Sequence, residues 1–405
     1  MSPIQIGIIG VVVLIIILFS RLPVAFCMTL VGLLGFGWLV SPNAALNIMA
    51  KDFYTVFSSY GLTVVPLFVF MGQILFYAGI SRKIYDVAYA WLGQYKGGLA
   101  MATVGACASF SAICGSTNAT AATMATVALP EMKRYKYRDE LSTGVVAAGG
   151  SLGILIPPSV IFIVYGIITE QSIGKLFMAG ILPGILLSAL FILTIYIWVT
   201  INPNMAPRVE KQDLKTKLKS LTGLIEVILL FVLVMGGLFI GIFTPTEAGA
   251  VGAFGGLVIP LVRRQLTWQG FIQALYSSTR TTCMILMIVA GATVFGHFLA
   301  VSTIPSTLSS WVVGLPLPPW AIMMVVMFFF FIGGCFMDAL GMILLTIPIF
   351  YPVAVALGYD PIWFGVVIVL VTELGVITPP VGINVYVVSG IARDVPLEVI
   401  FKGAV

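Results

Sequence analysis

The sequence predicts an all-α polytopic membrane protein made of two inverted-topology repeats. Three observations lead there. The 405 residues are 60% hydrophobic and 9% charged, with mean hydropathy +1.13, whereas soluble domains carry about 25% charged residues. An unusual phrase occurs twice, 222 residues apart: Leu152-Gly153-Ile154-Leu155-Ile156-Pro157-Pro158 and Leu374-Gly375-Val376-Ile377-Thr378-Pro379-Pro380. Basic residues gather in a few clusters that fix a topology.

The apolar segments run over about 4–20, 22–40, 61–80, 99–130, 142–168, 177–200, 222–242, 246–262, 281–300, 321–352 and 361–391. Most approach the ~20 residues that a spanning helix needs. The first is not a signal peptide, because it lacks a basic start and a small-residue cleavage pattern and runs straight into a second span. Segments 142–168 and 361–391 each hold a Pro-Pro pair. Two adjacent prolines remove two N–H donors and push the preceding residues out of helical geometry, so each segment is a broken span. Broken backbone at membrane depth survives only where it is buried in protein or lines a polar cavity. Matching breaks in two halves mark the binding site of a secondary transporter.

Segments 99–130 and 321–352 are too long for one crossing. The first has a hydroxyl-rich centre, Ser109 to Asn118; the second has Gly333-Gly334 and Asp338 at its centre. Arg82 and Lys83 precede the first, and Lys133, Arg134, Lys136 and Arg138 follow it. The positive-inside rule puts both flanks in the cytoplasm, so 99–130 is a re-entrant hairpin. The flanks of 321–352 (residues 301–320 and 353–360) carry no Lys or Arg, so that hairpin enters from outside. Counting crossings puts the N-terminus outside and leaves every Lys and Arg but Lys51 and Lys175 on the cytoplasmic side. An odd number of crossings then separates the Pro-Pro spans, so the halves are inverted.

Residues 1–200 form the first repeat: scaffold spans 4–80, hairpin 99–130, broken span 142–168 and span 177–200. Residues 201–221, with the charged run 208–219, form a cytoplasmic linker. Residues 222–405 form the second repeat: scaffold spans 222–300, hairpin 321–352 and broken span 361–391. Internal symmetry calls for one further span after Lys402, so the given chain is expected to lack the last span of its repeat. Segments 41–60, 81–98 and 264–280 read as amphipathic stretches along the interface.

Five cysteines without pattern, and one histidine, His297, argue against a disulfide framework or a transition-metal site. No basic segment belongs to a soluble domain, which sets nucleic acid aside. An intramembrane enzyme would need a nucleophile–base or metal pair; no His-Glu-x-x-His or Gly-x-Ser-x-Gly pattern is present, nor a phosphate-binding Gly-x-x-x-x-Gly-Lys loop for an ATP-driven pump. Unwound backbone frees carbonyls for a cation, and half-helix N-termini offer N–H groups to a carboxylate. Ser111, Ser116, Thr117, Asn118 and Asn384 add neutral polar contacts. Of the intramembrane acids, Asp338 is the best candidate for gating or ion binding, its plain alternative being a hairpin-tip helix cap. Glu373 is expected to support the broken backbone, and Glu226 and Glu247 to lie near span ends.

The hairpin Ser111-Ala-Ile-Cys-Gly-Ser-Thr-Asn118, the Leu-Gly-x-x-x-Pro-Pro span after it and the Gly-Gly-Cys-Phe-Met-Asp338 hairpin resemble the large membrane subunit of TRAP (tripartite ATP-independent periplasmic) transporters, the DctM-type M protein. The resemblance runs from the Arg21-Leu-Pro-Val-Ala-Phe turn to Lys402. It implies an elevator-type, sodium-coupled importer of a small carboxylate, without a cofactor, in the inner membrane. It also implies a small four-helix membrane partner and a periplasmic substrate-binding protein. By resemblance, one sodium site comprises Ser111, Cys114, Gly153, Ile156 and Pro158, and a second Gly334, Gly375, Thr378 and Val381. Cys114 departs from the usual Ser, and a thiol is a poor ligand for a hard cation. Substrate contact or gating falls to Ser116, Thr117, Asn118, Asp338, Pro157, Pro379, Pro380 and Asn384. A stand-alone ion–carboxylate symporter or anion transporter of similar architecture is the alternative.

Overall fold

The computed structural model describes residues 1–20, 22–207 and 213–405. Arg21 and the early linker, 208–212, lie outside the described residues. Among those described, the regular structure is helical throughout. The first half comprises α1 (Pro3–Leu18), α2 (Val24–Leu39), α3 (Pro42–Phe57), α4 (Val64–Tyr77), α5 (Ile80–Leu92), α6 (Gly98–Cys114), α7 (Thr117–Arg134), α8 (Asp139–Gly150), α9 (Val160–Ile168) and α10 (Ile173–Ile201). The second comprises α11 (Leu214–Leu221), α12 (Ile225–Ile240), α13 (Pro245–Val262), α14 (Trp268–Val301), α15 (Ile304–Val313), α16 (Pro319–Phe336), α17 (Ala339–Ala356), α18 (Pro361–Val376), α19 (Ile383–Ile391) and α20 (Leu397–Ala404).

The 222-residue spacing of the Pro-Pro phrase extends to whole helices. Helices α1 and α12, α7 and α17, and α8 and α18 each begin 222 residues apart. Both long segments fold as helical hairpins, α6–α7 and α16–α17. Their second helices are capped alike: Ser116 Oγ accepts from the Ala119 N–H, and Asp338 Oδ2 from the Gly341 N–H.

Helix α2 packs on α14 and α4 on α13, giving one framework from both halves. Glycines allow the close approach: a side chain on Gly32 would strike the backbone of Phe295, and one on Gly291 the Ala25 carbonyl. A second body holds the hairpins and broken helices, with α6 on α8, α16 on α18, α19 on α7 and α20 on α8. Large apolar side chains remain exposed along α1, α10, α12 and α16, among them Ile16, Leu182, Leu229 and Val325. An exposed apolar surface of this extent marks contact with a membrane or a protein partner. Five described helices are individually long and apolar enough to cross a bilayer, and two bent pairs, α3–α4 and α11–α12, raise this to seven.

One expectation changes. Segment 264–280 is no separate interfacial stretch. Only its first turn is loose, and from Trp268 it continues into the span as the 34-residue α14. No proline interrupts it, and Ser278 turns its hydroxyl back onto the Ala274 carbonyl. Within the linker, α11 packs on α5, and Lys217 donates to Gln94 Oε1 at 3.0 Å.

Several basic residues that the positive-inside rule assigns to one side form ion pairs. Lys133 pairs with Asp394, and its hydrogen bond holds the Asp394 carboxyl below the usual carboxylate range. Lys402 and Arg138 both reach Glu140, and Arg263 reaches Glu226 at 2.6 Å. Gly403 of α20 lies so close to α8 that a Cβ would collide with the Glu140 carbonyl. Gly403→Ala is expected to unseat α20 and destabilise the protein by roughly 1–3 kcal/mol. Gly390→Ala, where a Cβ meets nothing within 4 Å, should be near neutral. Thermal unfolding in detergent separates the two.

Candidate functional site

Each broken helix fails for the same reason. Prolines 157 and 158 remove the N–H groups that would bond to the Gly153 and Ile154 carbonyls, and prolines 379 and 380 do the same for Gly375 and Val376. Both Pro-Pro bonds are cis. A short 3-10 turn, 151–154, replaces the first helix end, and in the second the Thr378 N–H closes onto the Gly375 carbonyl at 2.8 Å.

A hairpin tip seats on each break through glycine. A Cβ on Gly153 would lie 2.6 Å from the Ser116 carbonyl oxygen, and one on Gly115 (φ +62°) 2.5 Å from that of Pro158. On the other side Gly334 meets the Thr372 carbonyl, and Gly375 meets the Phe331 carbonyl. The Val381 N–H donates to the Cys335 carbonyl at 3.1 Å. The two residue sets implied as sodium sites therefore fall into two groups, one at each hairpin–break junction. The hydroxyls of Ser111 and Thr378 donate back to the Cys107 and Leu374 carbonyls, at 2.6 and 2.7 Å. Their oxygens keep free lone pairs. The Cys114 thiol is buried 4.0 Å from the Ser116 carbonyl oxygen, and Ile156 packs against Gly184.

Between the two tips lies a cavity of about 120 Å³. Cys114 to Ala119 border it from the first tip, Asp338 to Leu340 from the second, and Ile154, Glu373 and Val376 from the helices entering the breaks. Val69 and Gln73 of α4 and Thr281, Met284 and Ile285 of α14 close the far wall. Its polar groups are hydroxyls, amides and the carboxyls of Asp338 and Glu373. Among the described residues, no Lys, Arg or His borders it.

Ser116, Thr117, Asn118 and Asp338 thus come together as the sequence suggests. Asp338 caps α17, the plain alternative for it, and also borders the cavity. Asn384, Pro157, Pro379 and Pro380 do not border it. Asn384 is buried and donates to the Ala147 carbonyl at 3.2 Å, tying α19 to α8. Pro157 is buried, while Pro379 and Pro380 are exposed. Glu373 also reaches beyond its own break. It is 2% exposed and accepts from the Thr117 hydroxyl at 3.1 Å, linking the first tip to the second broken helix. Its signal in the sequence was an acid at membrane depth.

Residues 11–405 match the family described as "Tripartite ATP-independent periplasmic transporter, DctM component". The chain belongs to the DctM family. A C4-dicarboxylate TRAP transporter large permease protein DctM of Pseudomonas aeruginosa is 39% identical, over 90% of this chain and 85% of its own length. A sialic acid TRAP transporter large permease protein SiaM of Vibrio cholerae is 33% identical over 96% and 90%. An isethionate TRAP transporter permease protein DctMQ of Oleidesulfovibrio alaskensis is 35% identical over 86% of this chain and 55% of its own length. These relatives are transporter permeases, not enzymes. The solved Alcanivorax borkumensis YdaH transporter shares the fold at 14% identity, with a TM-score of 0.56 over 90% of this chain and 85% of that one. This DctM protein is a multi-pass membrane protein.

Thr117→Val would leave both Glu373 oxygens without a partner. It is expected to destabilise the DctM chain by about 1–3 kcal/mol, and Thr117→Ser to restore most of that loss. Equal melting temperatures for wild type and Thr117→Val would show that the contact contributes nothing.

Proposed function

We propose that this DctM chain is the large membrane subunit of a sodium-coupled importer of a small organic acid. A periplasmic binding protein delivers the substrate, and a small four-helix membrane subunit completes the transporter. It lies in the inner membrane with its N-terminus outside. The two halves are inverted repeats, and 99–130 and 321–352 are re-entrant hairpins.

The observation that carries this reading is the cavity. It is walled on one side by both tips and both breaks, and on the other by framework helices α4 and α14. The N-termini of α7 and α17 open onto it and present N–H groups and the positive end of a helix dipole to a carboxylate. Among the described residues no cationic side chain borders the cavity to neutralise such a substrate, and the carboxyls of Asp338 and Glu373 face it. A bound cation is then the natural companion of the anion. Sodium at the hairpin–break junctions brings positive charge to the cavity edge and fixes the tips in place.

An elevator movement fits a second asymmetry. The first hairpin faces α12 at Val227, Leu230, Phe231 and Val234 across a gap of about 10 Å³. The second faces α1 at Val11, Leu14, Ile15 and Leu18 across a cleft of about 620 Å³. These contacts lie 216 residues apart, although α1 and α12 begin 222 apart. At a rise of 1.5 Å per residue, the six-residue difference is a slide of about 9 Å. In opposed helices it points to one side, the end of α12 beside the basic linker. The hairpin body is then in its inward position.

Proteoliposomes holding the complete transporter should take up a carboxylate offered with its binding protein when NaCl, but not KCl or choline chloride, is outside. Asp338→Ala should abolish uptake. Equal uptake in all three salts would remove sodium coupling. For the slide, Leu14→Cys with Met337→Cys should cross-link with a bifunctional thiol reagent in the inward position. Ile8→Cys with Met337→Cys should do so only after an outward shift, and equal cross-linking of both pairs under every condition would argue against it.

A further inference from the structure

We propose that the groove between α5 and α11 binds an anionic phospholipid, with the lipid phosphate at Lys217 and an acyl chain along the apolar walls. The site is separate from the cavity between the hairpin tips, and it does not depend on the transport reading.

The two helices lie side by side and run in opposite directions. Lys217, near the start of α11, donates to Gln94, just past the end of α5. Gly223, just past the end of α11, sits beside the stem of Lys83, near the start of α5. A groove of about 440 Å³ runs between them. Ile84, Val87 and Trp91 of α5 line one side, Leu221 and Leu224 the other, and Gly105 of α6 the floor. Among the described residues, Ser109 is the only polar side chain that lines it.

Lys217 is only 7% exposed. A lysine at that depth is normally paired with an acid, because a buried charge without a partner is costly. Here its ammonium has one neutral acceptor, the Gln94 amide oxygen at 3.0 Å, and no ion pair to a carboxylate among the described residues. Lys217 and Leu221 are one turn apart on the same face of α11. The ammonium therefore stands at the head of the apolar groove.

The surroundings carry the same sign. Arg82, Lys83, Lys96, Lys215, Lys217 and Lys219 lie along the two flanks, against the two acids Asp86 and Asp213. Basic clusters beside a spanning helix recruit anionic lipid. Helix α11 is bent by 44° from α12, and Trp91, 40% exposed, is of the type that settles at headgroup level. An apolar chain accounts for the groove and a phosphate for the lysine. A free phosphate answers only the second need. A zwitterionic lipid cancels its phosphate with its own ammonium. Helix α5 connects α4 of the framework to α6 of the hairpin body, and α11 belongs to the linker between the halves. A lipid seated between them clamps both connections.

The test is thermal unfolding of the full-length protein in uncharged detergent, titrated with dioleoylphosphatidylglycerol, dioleoylphosphatidylcholine or inorganic phosphate. The first should raise the melting temperature saturably, and the other two should not. Lys217→Met should weaken the apparent affinity about fivefold, the worth of one basic group at an anionic surface. Lys217→Arg should retain it. Lys136→Met, which removes the same charge from another basic cluster, should leave it unchanged. Equal shifts from both lipids, a shift from phosphate alone, or the same weakening in Lys136→Met overturns the proposal. A groove covered instead by a protein subunit would lose the lipid shift in the complete transporter, which equally overturns it. Should Lys217→Met fail to fold, Lys83→Met, at the other end of the groove, must show the weakening; unchanged affinity there also overturns it.

Discussion

Unpaired backbone inside a bilayer is the constraint on which the rest of this structure depends. Water is not there to satisfy a freed carbonyl, and each orphan group costs several kcal/mol. Two Pro-Pro pairs create such groups at membrane depth. They are tolerated because a hairpin tip covers each break, and the cover is close enough to work only where side chains are absent. Gly115 and Gly153 permit it on one side, Gly334 and Gly375 on the other. The glycines, the prolines and the hydroxyl-rich tip answer one requirement. Carbonyls left free in a small protein-lined space are also what a hard cation binds. The repair of the backbone and the proposed sodium sites therefore draw on the same residues.

Comparison of the halves separates what the fold needs from what chemistry adds. Ser116 and Asp338 occupy matching hairpin-tip positions and cap their helices in the same way. Ser151 and Glu373 occupy matching positions before the breaks. A hydroxyl suffices structurally in both cases, yet the second half carries carboxyls. Both open onto one cavity shared with the first half's neutral tip. The result is a site with an acidic wall and a neutral wall built on nearly identical backbones.

Much of this was legible in the sequence because it is governed by local rules. Proline chemistry fixes the breaks, and hydropathy with charge fixes the hairpins. The repeat spacing fixes which helices correspond, and α7 and α17 keep it at both ends. The misses are tertiary. Asn384 looks like a ligand by type and depth, but its amide is used to join α19 to α8. Glu373 looks like a local support for its own break, but its partner, Thr117, is 256 residues away. No periodicity reports a contact of that separation. Residues 264–280 have an amphipathic look because hydroxyls interrupt the apolar pattern, and those hydroxyls can bond back along their own helix without ending it.

Bonds between the halves also bear on how the molecule can move. Thr117 to Glu373, Asn384 to Ala147, Lys402 to Glu140 and Lys133 to Asp394 all join the hairpins and broken helices of one half to those of the other. The framework is crossed in the same way, α2 lying on α14 and α4 on α13. Rocking one repeat against the other would break both sets at once. Sliding the hairpin body along the framework breaks neither. It exchanges packing contacts, among them those of α6 on α4 and of α17 on α14 and the apolar side chains that face the hairpins from α1 and α12. Apolar contacts of this kind are replaced along the path by similar ones, whereas the buried Thr117–Glu373 and Asn384–Ala147 bonds would leave polar groups without partners. In the proposed slide, the moving body is therefore the one that carries both hairpin tips and both breaks, and α4 and α14 form the wall it leaves behind.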